Sequence, residues 1–306
     1  MTELLQIEGT SEAAPAPRRE RPAWLRVRYR QTPQLESLLA LVREERLNTV
    51  CQSAACPNLG ECWAHGTATF MIGGNQCTRA CGFCDVKTGR PDALDPDEPA
   101  RVGAAVARLG LRFAVVTAVA RDDLPDGGAE HFARTIAEIR ARAPGCKVEV
   151  LIPDLKGSIE ALQVVLAASP DVLNHNLETV ERLQRPVRKA GRYDRSLGVL
   201  ANAARLRPDI PTKTGLMLGL GETEDEIRTA LADIRAHGCS LLTIGQYLSP
   251  SAQHLPVARW VTPAEFDAWA AEARALGFAE VFSGPLVRSS YRAEKLAAAK
   301  LGPELG

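Results

Sequence analysis

The 306-residue chain has no excess charge of either sign, since 37 Lys and Arg balance 37 Asp and Glu. That balance leaves no basis for bulk electrostatic attachment to nucleic acid or to an anionic membrane surface. No apolar run reaches the roughly 18–20 residues that a membrane-spanning helix needs. The opening residues, MTELLQIEGT, lack the basic region and following apolar stretch of a secretory signal. The expected location is therefore cytoplasmic. There is no internal repeat, and low complexity is confined to residues 1–23, an arm rich in Ala, Pro, Glu and Arg (SEAAPAPRRERP).

What the chain does have is cysteine, unevenly placed. Of eight cysteines, six fall between positions 51 and 84. In a reducing cytosol such clustering points to metal binding rather than disulfides. Cys146 follows a Pro-Gly turn and Cys239 follows the Gly that ends a helical stretch, so both read as small buried residues.

From about residue 67 the chain alternates strand-like and helix-like segments. The apolar runs are TATFMIG (67–73), FAVVTAV (113–119), KVEVLIP (147–153), VLNHNL (172–177), TKTGLMLG (212–219) and LLTIGQYL (241–248). Between them lie segments of helical period, the best marked being TEDEIRTALADIRAHG, with a capping box at Thr223 and Glu226 and a closing Gly238. Six strand–helix units in series predict a parallel sheet with crossover helices, either a partial six-unit barrel or an open doubly wound sheet. In both, reactive groups belong at the carboxyl ends of the strands. Thr117, Arg121, Asn174 to Asn176, Gly219 to Glu222 and Gln246 fall there. Ahead of the series, 33–47 has helical spacing with Leu35, Leu38, Leu39 and Val42 on one face; after it come a capped helix (262–277), a strand-like run (278–287) and a turn leading into a last helix.

CTRACGFC (77–84) places Cys77, Cys81 and Cys84 at C-x3-C-x2-C directly after the first strand. Zinc sites favour paired C-x2-C knuckles brought together from two places, which this is not. A single loop with this spacing suits three irons of a [4Fe–4S] cube and leaves the fourth iron open to a small molecule. CQSAACPNLGEC (51–62) offers a second triplet, Cys51, Cys56 and Cys62, at C-x4-C-x5-C. A second cluster is the natural reading, and a zinc site borrowing His65 is its alternative.

The C-x3-C-x2-C loop, with the aromatic Phe83 before its last cysteine, resembles that of the radical S-adenosylmethionine superfamily. The two triplets together with RSSY (288–291) resemble the lipoyl synthase family, as do ATFMIGGNQCTRACGFCDVKTGRP, RDDLPDGGAEHF, NHNLETVERL, TKTGLMLGLGET, TIGQYLSP and HLPVARWVTP. The family pattern has Asp where this chain has Ala120 and Ser where it has Thr214, and the latter keeps the hydroxyl.

The resemblance implies a partial (β/α)6 TIM-like barrel (67–277), an N-terminal extension (24–66) and a C-terminal extension (278–306), the two extensions holding an auxiliary iron–sulfur cluster. It implies that Cys77, Cys81 and Cys84 hold the cluster that cleaves S-adenosylmethionine, and that Ser290 joins Cys51, Cys56 and Cys62 on the auxiliary [4Fe–4S] cluster. Read from the residues alone, Ser289-Ser290 is more simply a helix cap. The cosubstrate's methionine end is placed near Thr117 and Arg121, its ribose near Asn174 to Glu178, and its adenine near Met217, Gln246 and Leu248. The implied reaction is radical insertion of two sulfurs, drawn from the auxiliary cluster, at C6 and C8 of an octanoyl-lysine. The implied partners are an octanoylated lipoyl carrier protein of a 2-oxoacid dehydrogenase complex or glycine cleavage system, an electron donor such as ferredoxin or flavodoxin, and an iron–sulfur carrier. Another radical sulfur transferase and a zinc-stabilised binding protein are the competing readings.

Three further features are open in the sequence. GLMLGLGE (215–222) reads as a cradle for adenosine by close approach at Gly219 and Gly221, or as a plain strand–helix joint. His175 reads as a cavity residue or as a hydrogen-bonded interior histidine. RPVRKAGR (185–192) reads as a dock for an acidic partner or a carboxylate, or as a solvated loop.

Overall fold

The computed structural model describes residues 20–26, 33–50, 58 and 67–301. Helix α1 (Pro33–Glu44) and strand β1 (Asn48–Thr49) precede β2 (Thr67–Ile72). The short strands β3 (Gln76–Cys77) and β4 (Lys87–Thr88) pair with each other in the loop that follows. Then come α2 (Glu98–Arg108), β5 (Phe113–Ala118), α3 (Ala129–Arg142), β6 (Lys147–Leu151), α4 (Ile159–Ala167), β7 (Val172–Asn174), α5 (Gln184–Val187), α6 (Tyr193–Leu206) and β8 (Thr212–Leu218). The chain continues through α7 (Glu224–Ala236), β9 (Leu241–Gln246), α8 (Pro263–Ala275), β10 (Glu280–Gly284) and α9 (Ala293–Leu301).

The main sheet has the order β1-β2-β5-β6-β7-β8-β9-β10. Apart from β1, which runs antiparallel to β2, every pairing is parallel. A doubly wound sheet would reverse its order after the first strands. Here spatial order follows chain order throughout, and same-handed crossovers then place all the connecting helices on one face, as in a barrel. The six expected strands are all present. The run at 278–287 goes further than expected: β10 continues the sheet as a seventh parallel strand, with Glu280 against Leu241 and Gly284 against Gly245.

The two faces differ as this winding requires. Ala114, Val116, Val148, Val150 and Leu173 pack outward with Val106, Phe132, Ile136, Leu162 and Val165 of the helices. Leu216, Leu218, Leu242, Ile244 and Val281 pack with Ile227, Leu231, Phe266 and Trp269. The inner face is filled at one end by α9, whose Ala293, Leu296 and Ala297 meet Phe113, Val115, Val172 and Leu241. Beside that plug the inner face carries a wholly buried ion pair: Lys213 Nζ lies 2.9 Å from both carboxylate oxygens of Glu149, and Asn174 Nδ2 donates to Glu149 Oε1 at 2.9 Å.

Helix ends follow the sequence signals. Thr223 and Glu226 form the expected capping box, Thr262 and Glu265 form a second, and Gly238 leaves α7 with φ +82°. Cys146 and Cys239 are buried among apolar neighbours as expected. Among the described residues no helix is long and apolar enough to cross a membrane.

Candidate functional site

The segment after β2 makes two pairs of strand residues and otherwise depends on anchors from its neighbours. Gly73, at its start, donates its N–H to the buried Glu98 carboxylate at 2.7 Å, and His131 Nε2 meets the same oxygen at 2.7 Å. Cys77 Sγ accepts from the Ala120 N–H at 3.3 Å and from the Arg79 N–H at 3.4 Å. Ala120, the departure from the family pattern, thus reaches the cysteine through its backbone. Thr78 donates its N–H to Ala120 O at 3.1 Å, and its hydroxyl oxygen lies 3.0 Å from the same carbonyl. Gly82 donates to Val187 O at 2.9 Å and accepts from Leu255 N at 3.0 Å, and His254 Nε2 lies 3.1 Å from Cys84 O.

Cys77, Cys81 and Cys84 are therefore brought onto one half-buried loop at the carboxyl ends of β2 and β5. Burial pushes the Cys81 thiol up to about 12; the positive charge of Arg188 opposes the shift and Cys84 and Cys77 add to it. Burial likewise raises Cys84. Burial thus keeps the Cys81 and Cys84 thiols protonated until a cation takes their sulfurs. Among the described residues no group of three or more His, Cys, Asp or Glu closes on a single ion. The C-x3-C-x2-C spacing on one half-buried loop fits three thiolates that each take a different iron of a cube.

The residues predicted to surround the cosubstrate divide into two groups. Asn174, Asn176 and Glu178 lie at and just past the end of β7. Asn176 Nδ2 donates to Glu178 Oε1 at 3.0 Å, while the buried Asn174 Oδ1 and Asn176 Oδ1 have no protein partner. Burial raises the Glu178 carboxyl, with Arg188 opposing. Met217, on the same strand register as Gly245 and Gly284, Leu248 just past β9, and Phe83 are all half-buried nearby. The second group is engaged by the protein itself. The Thr117 hydroxyl donates to Leu151 O at 2.9 Å. Arg121 is held by Asp123, Gly73 O and Asp92 O. Gln246 Nε2 lies 3.1 Å from each of Leu218 O, Tyr247 O and Arg259 O, which its two N–H groups share, and Oε1 accepts from Val261 N at 2.8 Å.

Gln246 also bears on one half of the GLMLGLGE reading. A Cβ at Gly219 would run into Gln246 Nε2 and Arg259 O, so the close approach there is by protein. The buried Glu222 carboxylate fixes this turn by accepting from Gly219 N at 2.6 Å and Leu220 N at 2.9 Å. His175 is a bonded interior histidine, with Nδ1 2.9 Å from Ile152 O and Nε2 3.0 Å from Ser196 Oγ. The basic run is split: Arg185 and Lys189 are exposed, whereas Arg188 is buried and donates to Leu177 O and Ser196 Oγ.

Cys51, Cys56, Cys62 and His65 lie outside the described residues. Asn58, between the second and third of those cysteines, is buried, and its Nδ2 donates to Leu286 O at 2.6 Å. Leu286 is four positions before Ser290. The intervening chain crosses the inner side of β9, where a Cβ on Gly245 would run into Val287 O. Ser290 lies in the turn before α9, whose first residue is Ala293, so the N-cap position belongs to Arg292 and not to either serine.

Arg79, Asp122, Asp154, Asn58 and Gly245 were not singled out in the sequence as site residues, and Arg188 was read only as part of the basic run. RDDL was visible there as a motif of unknown use; for a lone Asn58 no signal existed.

An open parallel sheet wound in one direction, with a C-x3-C-x2-C loop after its first parallel strand, defines a radical S-adenosylmethionine enzyme. Residues 71–234 match the family model described as Radical SAM superfamily. The [FeFe]-hydrogenase maturase HydG has this fold at a TM-score of 0.56 and 15% identity, over 86% of this chain and 71% of that one. Within the superfamily the chain belongs to the lipoyl synthase family. It is 56% identical over 292 residues to the lipoyl synthase of Thermus thermophilus, covering 94% of this chain and 90% of that one. It is 55% identical over 293 residues to that of Acidothermus cellulolyticus, covering 96% and 90%.

Proposed function

We propose that the chain forms the lipoyl cofactor by inserting sulfur at C6 and C8 of an octanoyl group amide-linked to a lysine of a lipoyl carrier protein. Family membership supports the reaction. The observation that carries the two-site reading is the Asn58 to Leu286 hydrogen bond, which ties the first cysteine segment to the strand end leading to Ser290.

Cys77, Cys81 and Cys84 would hold one [4Fe–4S] cluster, and Cys51, Cys56, Cys62 and Ser290 a second. When bound, the first cluster with S-adenosylmethionine supplies a hydrogen-abstracting radical, and the second supplies sulfur. The chain's own groups bind and orient. Asn174 Oδ1 and Asn176 Oδ1, buried acceptors without a protein donor, suit the ammonium or hydroxyl groups of the cosubstrate. Phe83, packed against the apolar cluster that includes Leu183 and Val187, keeps water from the loop. A hard serine oxygen is a poor match for a soft iron–sulfur site and leaves more readily than a thiolate. This reading divides the chain into an arm (1–23), an N-terminal extension (24–66), the barrel (67–277) and a C-terminal extension (278–306). It places the protein in the cytoplasm, supplied by a ferredoxin or flavodoxin and repaired by an iron–sulfur carrier.

Anaerobic reconstitution tests it. The chain should take up roughly eight irons as two four-iron clusters. Cys51/Cys56/Cys62→Ala should lose about half of that iron, still cleave S-adenosylmethionine and leave an octanoylated carrier peptide without added sulfur mass. Lipoyl product from the triple variant would remove the auxiliary-site role.

A further inference from the structure

Arg79 stands between Cys77 and Cys81, yet its side chain is almost wholly buried and is not free for a ligand. Its Nε and Nη2 make a two-pronged contact with the Asp122 carboxylate, both at 2.7 Å, and Nη2 also donates to Asp154 Oδ1 at 2.6 Å. Asp122 belongs to the loop after β5 and Asp154 to the loop after β6. Each carboxylate is itself fixed. Thr78 donates its hydroxyl to Asp122 Oδ2 at 2.9 Å and accepts from Asp122 N at 3.1 Å. Asp154 has no exposed surface, accepts from Lys156 N at 3.1 Å, and is reached from α6 by Arg195 Nη1 at 3.2 Å. The contact with Arg79 holds Asp122 below the ordinary carboxylate range. Burial works against the charge on Asp154, but the Arg79 bond and charge bring it down to about 2.

Stability alone does not account for this arrangement, because a buried ion pair adds little over well-packed apolar groups. Its distinctive property is direction: a planar fork reading two carboxylates allows one orientation of the backbone that carries it. We propose that Arg79 is a positioning residue, clamped between Asp122 and Asp154 so that the cysteine loop keeps a fixed setting against the carboxyl ends of β5 and β6. The inference rests on the radical S-adenosylmethionine reading of this loop. It predicts that a charge-conserving change leaves the loop able to take iron but misaligned for cleavage, since misplacement by about an ångström costs on the order of a hundred-fold in rate.

The test compares the full chain with Arg79→Lys and Asp154→Asn. Lysine keeps the charge and loses the fork. In the metal-free proteins, amide hydrogen exchange over 77–84 should accelerate about ten-fold or more in both variants, with the rest of the barrel unchanged. After reconstitution the iron content and the KM for S-adenosylmethionine should stay near parental, while kcat for its reductive cleavage falls about ten- to hundred-fold. The electron paramagnetic resonance spectrum of the reduced cluster with S-adenosylmethionine bound should also change. An Arg79→Lys protein with parental kcat, spectrum and exchange overturns the inference, as does one that loses its iron or unfolds while Asp154→Asn behaves as the parent. A parental chain that takes up no iron and cleaves nothing overturns the functional reading, and this inference with it.

Discussion

Gly245 shows how much of this site depends on single atoms. It lies on the inner side of β9 in register with Met217 and Gly284, and Val287 O occupies the space a side chain would need. Gly245→Ala must push the 285–290 segment, and Ser290 with it, away from the barrel mouth. Overpacking of this kind costs roughly 1–3 kcal/mol, visible as a lower urea midpoint. The functional consequence should be selective, with cleavage of S-adenosylmethionine retained and sulfur insertion into an octanoylated peptide largely lost. Equal losses of both would show that Gly245 supports the barrel generally. The three cysteines of CTRACGFC were legible in the sequence because their chemistry is local: ligand type and spacing lie within eight residues. Gly245 against Val287 and Asn58 against Leu286 were not, because those contacts join positions far apart in the chain. The same limit left the space at Gly219 open in the sequence between a ligand and a plain joint; Gln246 and Arg259 O fill it.

At the scale of elements, the strands and helices were legible wherever a periodic apolar pattern ended in a cap, as at Thr223 and Glu226. The role of the last helix was not, because a stretch such as AEKLAAAKL gives no sign of which surface its apolar side meets. In the structure α9 closes the barrel from inside, with Leu296 fully buried against Phe113, Val115, Val172 and Leu241. Leu296→Ala should therefore cost about 2–5 kcal/mol, as expected of a core leucine, although it lies within eleven residues of the chain end. Leu276→Ala, at an exposed leucine of which 42% is accessible, should stay within about 0.5 kcal/mol of the parent. Urea unfolding of both separates a plug from a surface helix: equal small losses would mean that α9 is not part of the core.

For the whole molecule, alternation of strand and helix could not choose between a barrel and a doubly wound sheet, since both require the same local pattern. The choice lies in whether the strand order reverses, which only long-range pairing reveals. That winding also buries polar groups at the centre, and His175 makes this measurable as a pH effect. Burial lowers its pKa to about 4, with the nearby Arg188 charge acting in the same direction. An unfolded histidine titrates near 6.5. Between those values the unfolded chain binds a proton that the folded chain does not, so stability is intact above the higher value and declines as pH falls through the window. Going from about pH 7 to about pH 5 should remove about 2 kcal/mol, above the range in which ordinary carboxylates titrate. His175→Gln, which keeps a donor and an acceptor for Ile152 O and Ser196, should be less stable than the parent at neutral pH and should lose less on acidification. The other four of the five histidines are common to both proteins, so the difference in slope between the two urea series isolates this ring. Parallel slopes would mean that the pH response of the barrel arises elsewhere.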